Sequence, residues 1–325
     1  MIADERRTRL EQWLATQLRG ARFTLTPASE DASFRRYFRA TLDDGRTFIA
    51  MDAPPDKEDC RPFVRIAGML ADAGVHAPTV HAQDLPSGFL LLSDLGTRTY
   101  LAELNGATAG ALMTDATDAL IRWQLASRPG ELPPYDEALL RREMNLFPEW
   151  YVARHRRKTL SAAQAQALEA IFALLVRSAL AQPAVYVHRD YMPRNLMVSE
   201  PNPGVLDFQD AVTGPITYDV VSLLRDAFIS WEEERVLDWS VRYWQKAKGA
   251  GLPVEHDFGE FWRALEWMGL QRHLKVLGIF ARINYRDGKP KYLADTPRFL
   301  AYARPVAQRY RELVPLARLL DEVQA

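Results

Sequence analysis

The chain has 325 residues, of which 48% are hydrophobic and 26% charged, and its net charge is -1. That length suggests about two domains or lobes, and the near balance of charge excludes a general attraction to nucleic acid or to anionic membranes. A single cysteine, Cys60, excludes an intramolecular disulfide and a thiolate metal cluster. In chain order, Leu10, Trp13, Leu14 and Leu18 recur at helical spacing and predict an amphipathic helix over 4–19. Two β-patterned runs, Phe34–Leu42 and Thr47–Asp52, flank Asp43-Asp44-Gly45 and predict a hairpin. A helix over about Glu58–Ala73 follows, then short strands near Thr79–Ala82 and Phe89–Ser93. Beyond Gly96 the pattern turns helical, with candidates at 108–127, 136–156, 161–181, 217–229, 232–248, 258–282 and 305–322. The expected organisation is α+β: a small β-rich lobe over 1–95 and a larger, mainly helical lobe over 96–325.

The first residues, MIADERRTRLEQW, lack the apolar core of a signal peptide, and apolar runs such as IFALLV fall short of a membrane span. The expectation is a cytoplasmic protein with no membrane, nucleic-acid or obligate protein partner.

One polar island interrupts the helical half. The stretch VYVHRDYMPRNLMV places His188, Arg189, Asp190, Arg194 and Asn195 between two apolar β-type runs. Asp207 follows in GVLDF, twelve residues after Asn195. Two antiparallel strands joined by Ser199–Pro203 bring Asn195 and Asp207 side by side. An amide carbonyl and a carboxylate are hard oxygen donors suited to Mg²⁺ bridging phosphate oxygens. Asp190, on the same loop, is the candidate base for an attacking hydroxyl. Phosphoryl transfer needs mostly positioning and charge neutralisation, which these three residues supply. Asp and Asn are common in turns, but turn chemistry does not ask for this whole pattern of strand, His-x-Asp-x-x-x-x-Asn, strand, turn, strand, Asp. His188, at a strand end, is read as a structural prop beneath the loop.

The segments VHRDYMPRNLMV, VLDFQDA and GPITYDVVSLL resemble the catalytic half of the aminoglycoside phosphotransferase and choline kinase-like family. The resemblance implies a bilobal protein-kinase-like fold, ATP and Mg²⁺ as cofactors, Asp190 as base, and Asn195 and Asp207 as metal ligands. It also implies that Asp219 steadies the catalytic loop. Ser93 and Leu95 fall where such enzymes hold adenine through backbone groups. Because the second lobe binds the acceptor in this family, Glu143 and Asn145 are candidates for sugar contacts, and Arg194 is assigned to acceptor binding.

The N-terminal half departs from the kinase pattern. Met51 stands where a phosphate-pairing lysine is usual, and Glu30–Arg39 takes the place of a glycine-rich loop. Strand alternation puts Phe34, Arg36 and Phe38 on one face and Arg35, Tyr37 and Arg39 on the other. If the aromatic face covers the nucleotide, Arg36 is the cation that binds it; a register one residue away exchanges Arg36 for Arg35. The combination DASFRRYFR, MDAPP, HRDYMPRNLM and LDFQDA is similar to a bacterial branch of the family. That branch phosphorylates the anomeric C1 hydroxyl of N-acetylmuramate and N-acetylglucosamine in cell-wall sugar recycling.

Seven basic and two acidic residues between Arg272 and Arg298 favour an acceptor bearing a carboxylate over a polycation. Trp262 and Trp267 are read as core. The closest alternative is a kinase for an aminoglycoside or another small alcohol. A non-catalytic nucleotide-binding protein, supported by Met51 and the missing glycines, is the other.

Overall fold

A computed structural model describes residues 4–29 and 34–324. Glu30-Asp31-Ala32-Ser33, the expected substitute for a glycine-rich loop, lies outside the described residues.

Helix α1 (Glu5–Gln17) begins at Asp4, whose side chain accepts the Arg7 N–H. It is followed by strands β1 (Phe23–Ser29), β2 (Arg36–Leu42) and β3 (Thr47–Asp52), helix α2 (Arg61–Asp72), and strands β4 (Val80–Asp84) and β5 (Phe89–Ser93). The strands form one antiparallel sheet in the order β1-β2-β3-β5-β4. Its register sets Arg36 opposite Asp52 and Tyr37 opposite Met51. The helix α1 stripe of Leu10 and Leu14 covers one face, packing on Phe38, Ala50, Phe89 and Leu91. By alternation, Tyr37, Arg39, Met51 and Leu90 occupy the other face. Gly88 closes the β4–β5 turn at φ 74°, where an added Cβ would stand 1.8 Å from the Ala53 carbonyl oxygen. Only glycine fits there.

The helical part comprises α3 (Tyr100–Glu103), α4 (Ala109–Leu125), α5 (Glu137–Met144), a π-helical segment Phe147–His155, and α6 (Ala162–Ala181). Short strands β6 (Ala184–Val187), β7 (Leu196–Met197), β8 (Gly204–Val205) and β9 (Val212–Pro215) come next. Helices α7 (Tyr218–Leu224), α8 (Glu233–Gly249), α9 (Phe258–Asp287), α10 (Thr296–Arg309) and α11 (Val314–Gln324) complete it. The helix expected over 136–156 is therefore α5 followed by the π-helical turns, with Pro148 at their start. The helix expected over 305–322 is the end of α10, a 3₁₀ turn at Arg311–Leu313, and α11. By length and composition α6 alone among the described helices is long and apolar enough to cross a bilayer. Its Leu168, Ile171, Phe172, Leu175, Val176 and Ala179 instead form a buried stripe at helical spacing. That stripe belongs to a helix packed on α9 and α11.

The chain divides into two compact units. The first joins the described residues up to Ala119 with Arg194–Asp210, and the second joins Leu120–Pro193 with Ala211 onward. This differs from the expected break after residue 95, because the α3 segment and the β7–β8 ribbon belong with the sheet: Thr99 bridges Met197, and the Val205 N–H bonds to the His76 carbonyl at 2.7 Å. The second unit is helical around α9, with the β6–β9 pair set into it.

Candidate active site

In the second unit, β6 runs into the loop that carries Asp190. The Asp219 carboxylate, in the first turn of α7, accepts the His188 N–H at 2.6 Å and the Arg189 N–H at 3.0 Å. Two successive N–H groups thus converge on one carboxylate, and Arg189 has the left-handed backbone, φ 75°. A non-glycine residue there is strained by on the order of 1–3 kcal/mol and persists only where its surroundings over-determine it. Burial pushes the Asp219 carboxyl up to about 7, with the two N–H donors opposing. The buried His188 presents Nδ1 to the Asp190 N–H at 3.3 Å and packs edge-on against Tyr191. Asp190 is half-buried beside it.

The Arg189 side chain is held as firmly as its backbone. Its guanidinium donates to Glu143 Oε1 at 2.7 Å and lies over the Tyr135 ring. Lys275 of α9 reaches the same Glu143 oxygen at 2.9 Å and donates to the Tyr218 hydroxyl at 2.9 Å. The Tyr135 hydroxyl donates to Glu143 Oε2. Burial works against ionising Glu143, yet Lys275 and Arg189 beside it hold its carboxyl at about 2.

Glu143 is therefore corrected from a sugar ligand to the buried anion of this network, since its oxygens are already shared among two cations and a phenol. Asn145 is exposed at the α5 C-cap, where its N–H is given to the Arg141 and Glu143 carbonyls. Of the seven basic residues from Arg272 to Arg298, Arg272 and Lys275 are buried, with Arg272 donating to the Arg225 carbonyl. Trp267 is buried in the core.

In the first unit, β7 and β8 pair Leu196 with Val205 and Met197 with Gly204. The ribbon sets the two candidate ligands together: the Leu206 N–H bonds to the Asn195 carbonyl at 2.9 Å, and Asn195 Nδ2 donates to Asp207 Oδ2 at 3.3 Å. Asp207 has φ 63°. The next residue, Phe208, packs on Phe63 of α2 with ring centroids 4.7 Å apart. Gln209 Nε2 donates to Asp207 Oδ1 at 2.9 Å, while its buried Oε1 has no hydrogen-bond partner. The donor set fits a hard divalent cation: an amide oxygen and a carboxylate would hold it, and its water shell would satisfy the orphaned Gln209 oxygen. Among the described residues no group of three His, Cys, Asp or Glu side chains could hold a metal ion. A cation here depends on further oxygens brought by a ligand.

Arg194 is exposed on the 3₁₀ turn that ends at Asn195. Asp190 belongs to the second unit and Asn195 and Asp207 to the first; chain connectivity keeps Asp190 five residues from Asn195.

The nucleotide expectation for Arg36 is corrected. Its face of β2 lies under α1, where Arg36 Nε donates to the fully buried Asp52 at 2.9 Å and its guanidinium also pairs with Asp4. Arg6 of α1 shares Asp52. The opposite face carries Arg39, locked in two bonds to Asp94 at 2.6 and 3.0 Å and a third to the Gly96 carbonyl. Arg35 pairs with Asp207 at 4.0 Å. The Ser93 N–H is given to the Thr79 carbonyl at 2.9 Å, so that donor is committed inside the fold; Leu95 is half-buried two residues on.

Sequence reasoning missed Gln209, Tyr135 and the Glu143–Arg189–Lys275 network. The one available signal was Lys275 itself, flanked by apolar residues in HLKVL on a predicted helix.

The sheet unit carries the Asn–Asp pair and the helical unit the His-x-Asp loop on a buried aspartate, and the fold is protein-kinase-like. The model of the phosphotransferase enzyme family matches residues 24–258, and the chain belongs to that family. The chain is 58% identical to an N-acetylmuramate/N-acetylglucosamine kinase of Pseudomonas putida, over 93% of this chain and 89% of that protein. It is 52% identical to the protein of the same name from Neisseria meningitidis, over 98% and 96%. Among solved structures, choline kinase LicA of Streptococcus pneumoniae superposes with a TM-score of 0.66 at 11% identity, covering 94% of this chain and 100% of that one.

Proposed function

We propose that this chain is an ATP- and Mg²⁺-dependent kinase that phosphorylates the anomeric C1 hydroxyl of N-acetylmuramate and N-acetylglucosamine. The product is the sugar 1-phosphate, and the setting is cytoplasmic recycling of cell-wall sugars. The observation that carries this reading is the 52–58% identity, over nearly the whole chain, to kinases named for those two sugars. Asp190, Asn195 and Asp207 keep a chemistry consistent with it.

In this mechanism the Asp190 carboxylate accepts the hydroxyl proton as the sugar oxygen forms its bond to the γ-phosphorus. The bond from that phosphorus to the β–γ bridging oxygen breaks, and ADP leaves with the electron pair. An anomeric hydroxyl is more acidic than an ordinary alcohol, which suits a carboxylate as its partner. Asn195 and Asp207 would hold Mg²⁺, which would supply charge neutralisation on the phosphate oxygens. Asp219, through the His188 and Arg189 amides, keeps the loop in the conformation that presents Asp190. Arg194 and Asn145, both exposed, remain the acceptor-binding candidates, and Leu95 remains the adenine-binding candidate.

The test is to offer N-acetylmuramate, N-acetylglucosamine, choline and an aminoglycoside with Mg²⁺-ATP and to follow ADP release. Turnover confined to the two amino sugars is expected. Turnover with the aminoglycoside or choline alone would replace this reading with the broader small-alcohol one, and nucleotide binding without turnover on any acceptor would make the chain a binding protein.

A further inference from the structure

We propose that Arg35 is the residue that binds the β- and γ-phosphates of the nucleotide, supplying the charge that a lysine at the Met51 position supplies in kinases; this rests on the ATP-dependent reading above. Met51 is fully buried on the face away from α1, opposite Tyr37 in the register. A methionine there fills space but offers phosphate no positive charge, so any compensating cation must reach the same face. Three arginines lie in or just before β2, and the structure separates them. Arg36 faces α1 and is bound by Asp52 and Asp4. Arg39 is on the Met51 face but is held by Asp94 and the Gly96 carbonyl. Arg35 immediately precedes β2, and alternation sets it on the face of Tyr37 and Met51.

Its guanidinium points at the metal-ligand candidates. Arg35 NH2 lies 4.0 Å from Asp207 Oδ1, and its side chain is 11% exposed. A charge so withdrawn from water is costly unless it meets opposite charge. A triphosphate held by Mg²⁺ on Asn195 and Asp207 would bring its terminal oxygens to this position, and the planar fork of arginine matches phosphate oxygens in pairs. Arg35 and Asp207 are both in the first unit.

The experiment compares full-length Arg35→Ala, Arg35→Lys and Arg36→Ala. It measures KM for ATP, KM for the sugar and kcat, and calorimetric binding of a non-hydrolysable ATP analogue and of adenosine. Losing a hydrogen bond to a charged group costs about ten- to hundredfold in affinity. Arg35→Ala is therefore expected to raise KM for ATP and weaken the analogue by that range. Adenosine binding and sugar KM stay within about twofold, and Arg35→Lys recovers part of the loss. Arg36→Ala is expected to lower thermal stability while KM for ATP stays within about twofold. Analogue binding unchanged in both Arg35 variants would overturn the proposal, as would an equal, small loss in Arg35→Ala and Arg36→Ala. The two readings fail separately: a wild-type protein that binds the analogue through Arg35 but turns over no acceptor retires the kinase reading alone. A wild-type kinase indifferent to Arg35 retires only this inference.

Discussion

Replacing Glu143 by glutamine removes one charge from beneath the catalytic loop and leaves Arg189 and Lys275 facing each other. The cost can be worked in two ways. The gap between an ordinary carboxyl at 4.5 and one held at about 2 corresponds to roughly 3 kcal/mol in favour of the folded, ionised form near neutral pH. Breaking a buried ion pair by removing one partner costs about 3–5 kcal/mol. Urea unfolding of Glu143→Gln near neutral pH should therefore show a free energy lower by about 3–5 kcal/mol, with little change in the slope against denaturant. Because the folded carboxyl is depressed, its contribution is present above 4.5 and is lost as pH falls toward about 2. The gap between wild type and variant should narrow over that window. Lys275→Met alone should also destabilise, and the double variant should lose less than the sum, since the two side chains share one contact. A loss below about 1 kcal/mol, or a gap indifferent to acid, would refute the reasoning.

Asp219→Asn leaves one carbonyl oxygen where a carboxylate accepts two successive N–H groups, so kcat should fall about ten- to hundredfold while sugar KM changes little. Its pH signature runs opposite to that of Glu143. The folded carboxyl is raised to about 7, so its stabilising contribution is complete below 3.8 and is lost as pH rises toward 7. Unfolding curves of the variant should lack that decline, and an identical decline in both proteins would contradict the assignment. Gly278→Ala puts a methyl group 2.3 Å from the Leu146 carbonyl carbon, where backbone must move. A loss of about 3 kcal/mol, or failure to accumulate folded protein, is expected on heating. A wild-type melting curve would show that α9 does not pass so close to residue 146.

The antiparallel ribbon that joins Asn195 to Asp207 was legible because turn, strand lengths and ligand spacing all agree locally. Strand β1 was not, because Pro27 within FTLTPAS argues against a strand; β1 is an edge strand of the sheet, where proline is tolerated. The choice between Arg35 and Arg36 needed knowledge of which face α1 covers. Alternation separates the two residues but does not say which faces solvent, ligand or helix. Glu143 and Lys275 lie on different helices, and helical spacing pairs residues only within one helix. A charge count over Arg272–Arg298 could not show that α9 buries two of its cations with partners far away in sequence.

The central claim is transfer of the γ-phosphate to an anomeric oxygen with Asp190 taking the proton. It is met most directly by phosphorus and proton NMR of the product formed from N-acetylmuramate and ATP, with Asp190→Asn run beside wild type. A phosphate coupled to the anomeric proton, absent when Asp190 is asparagine, is the predicted outcome. Phosphate on any other hydroxyl, or an asparagine variant that works at the wild-type rate, would contradict it.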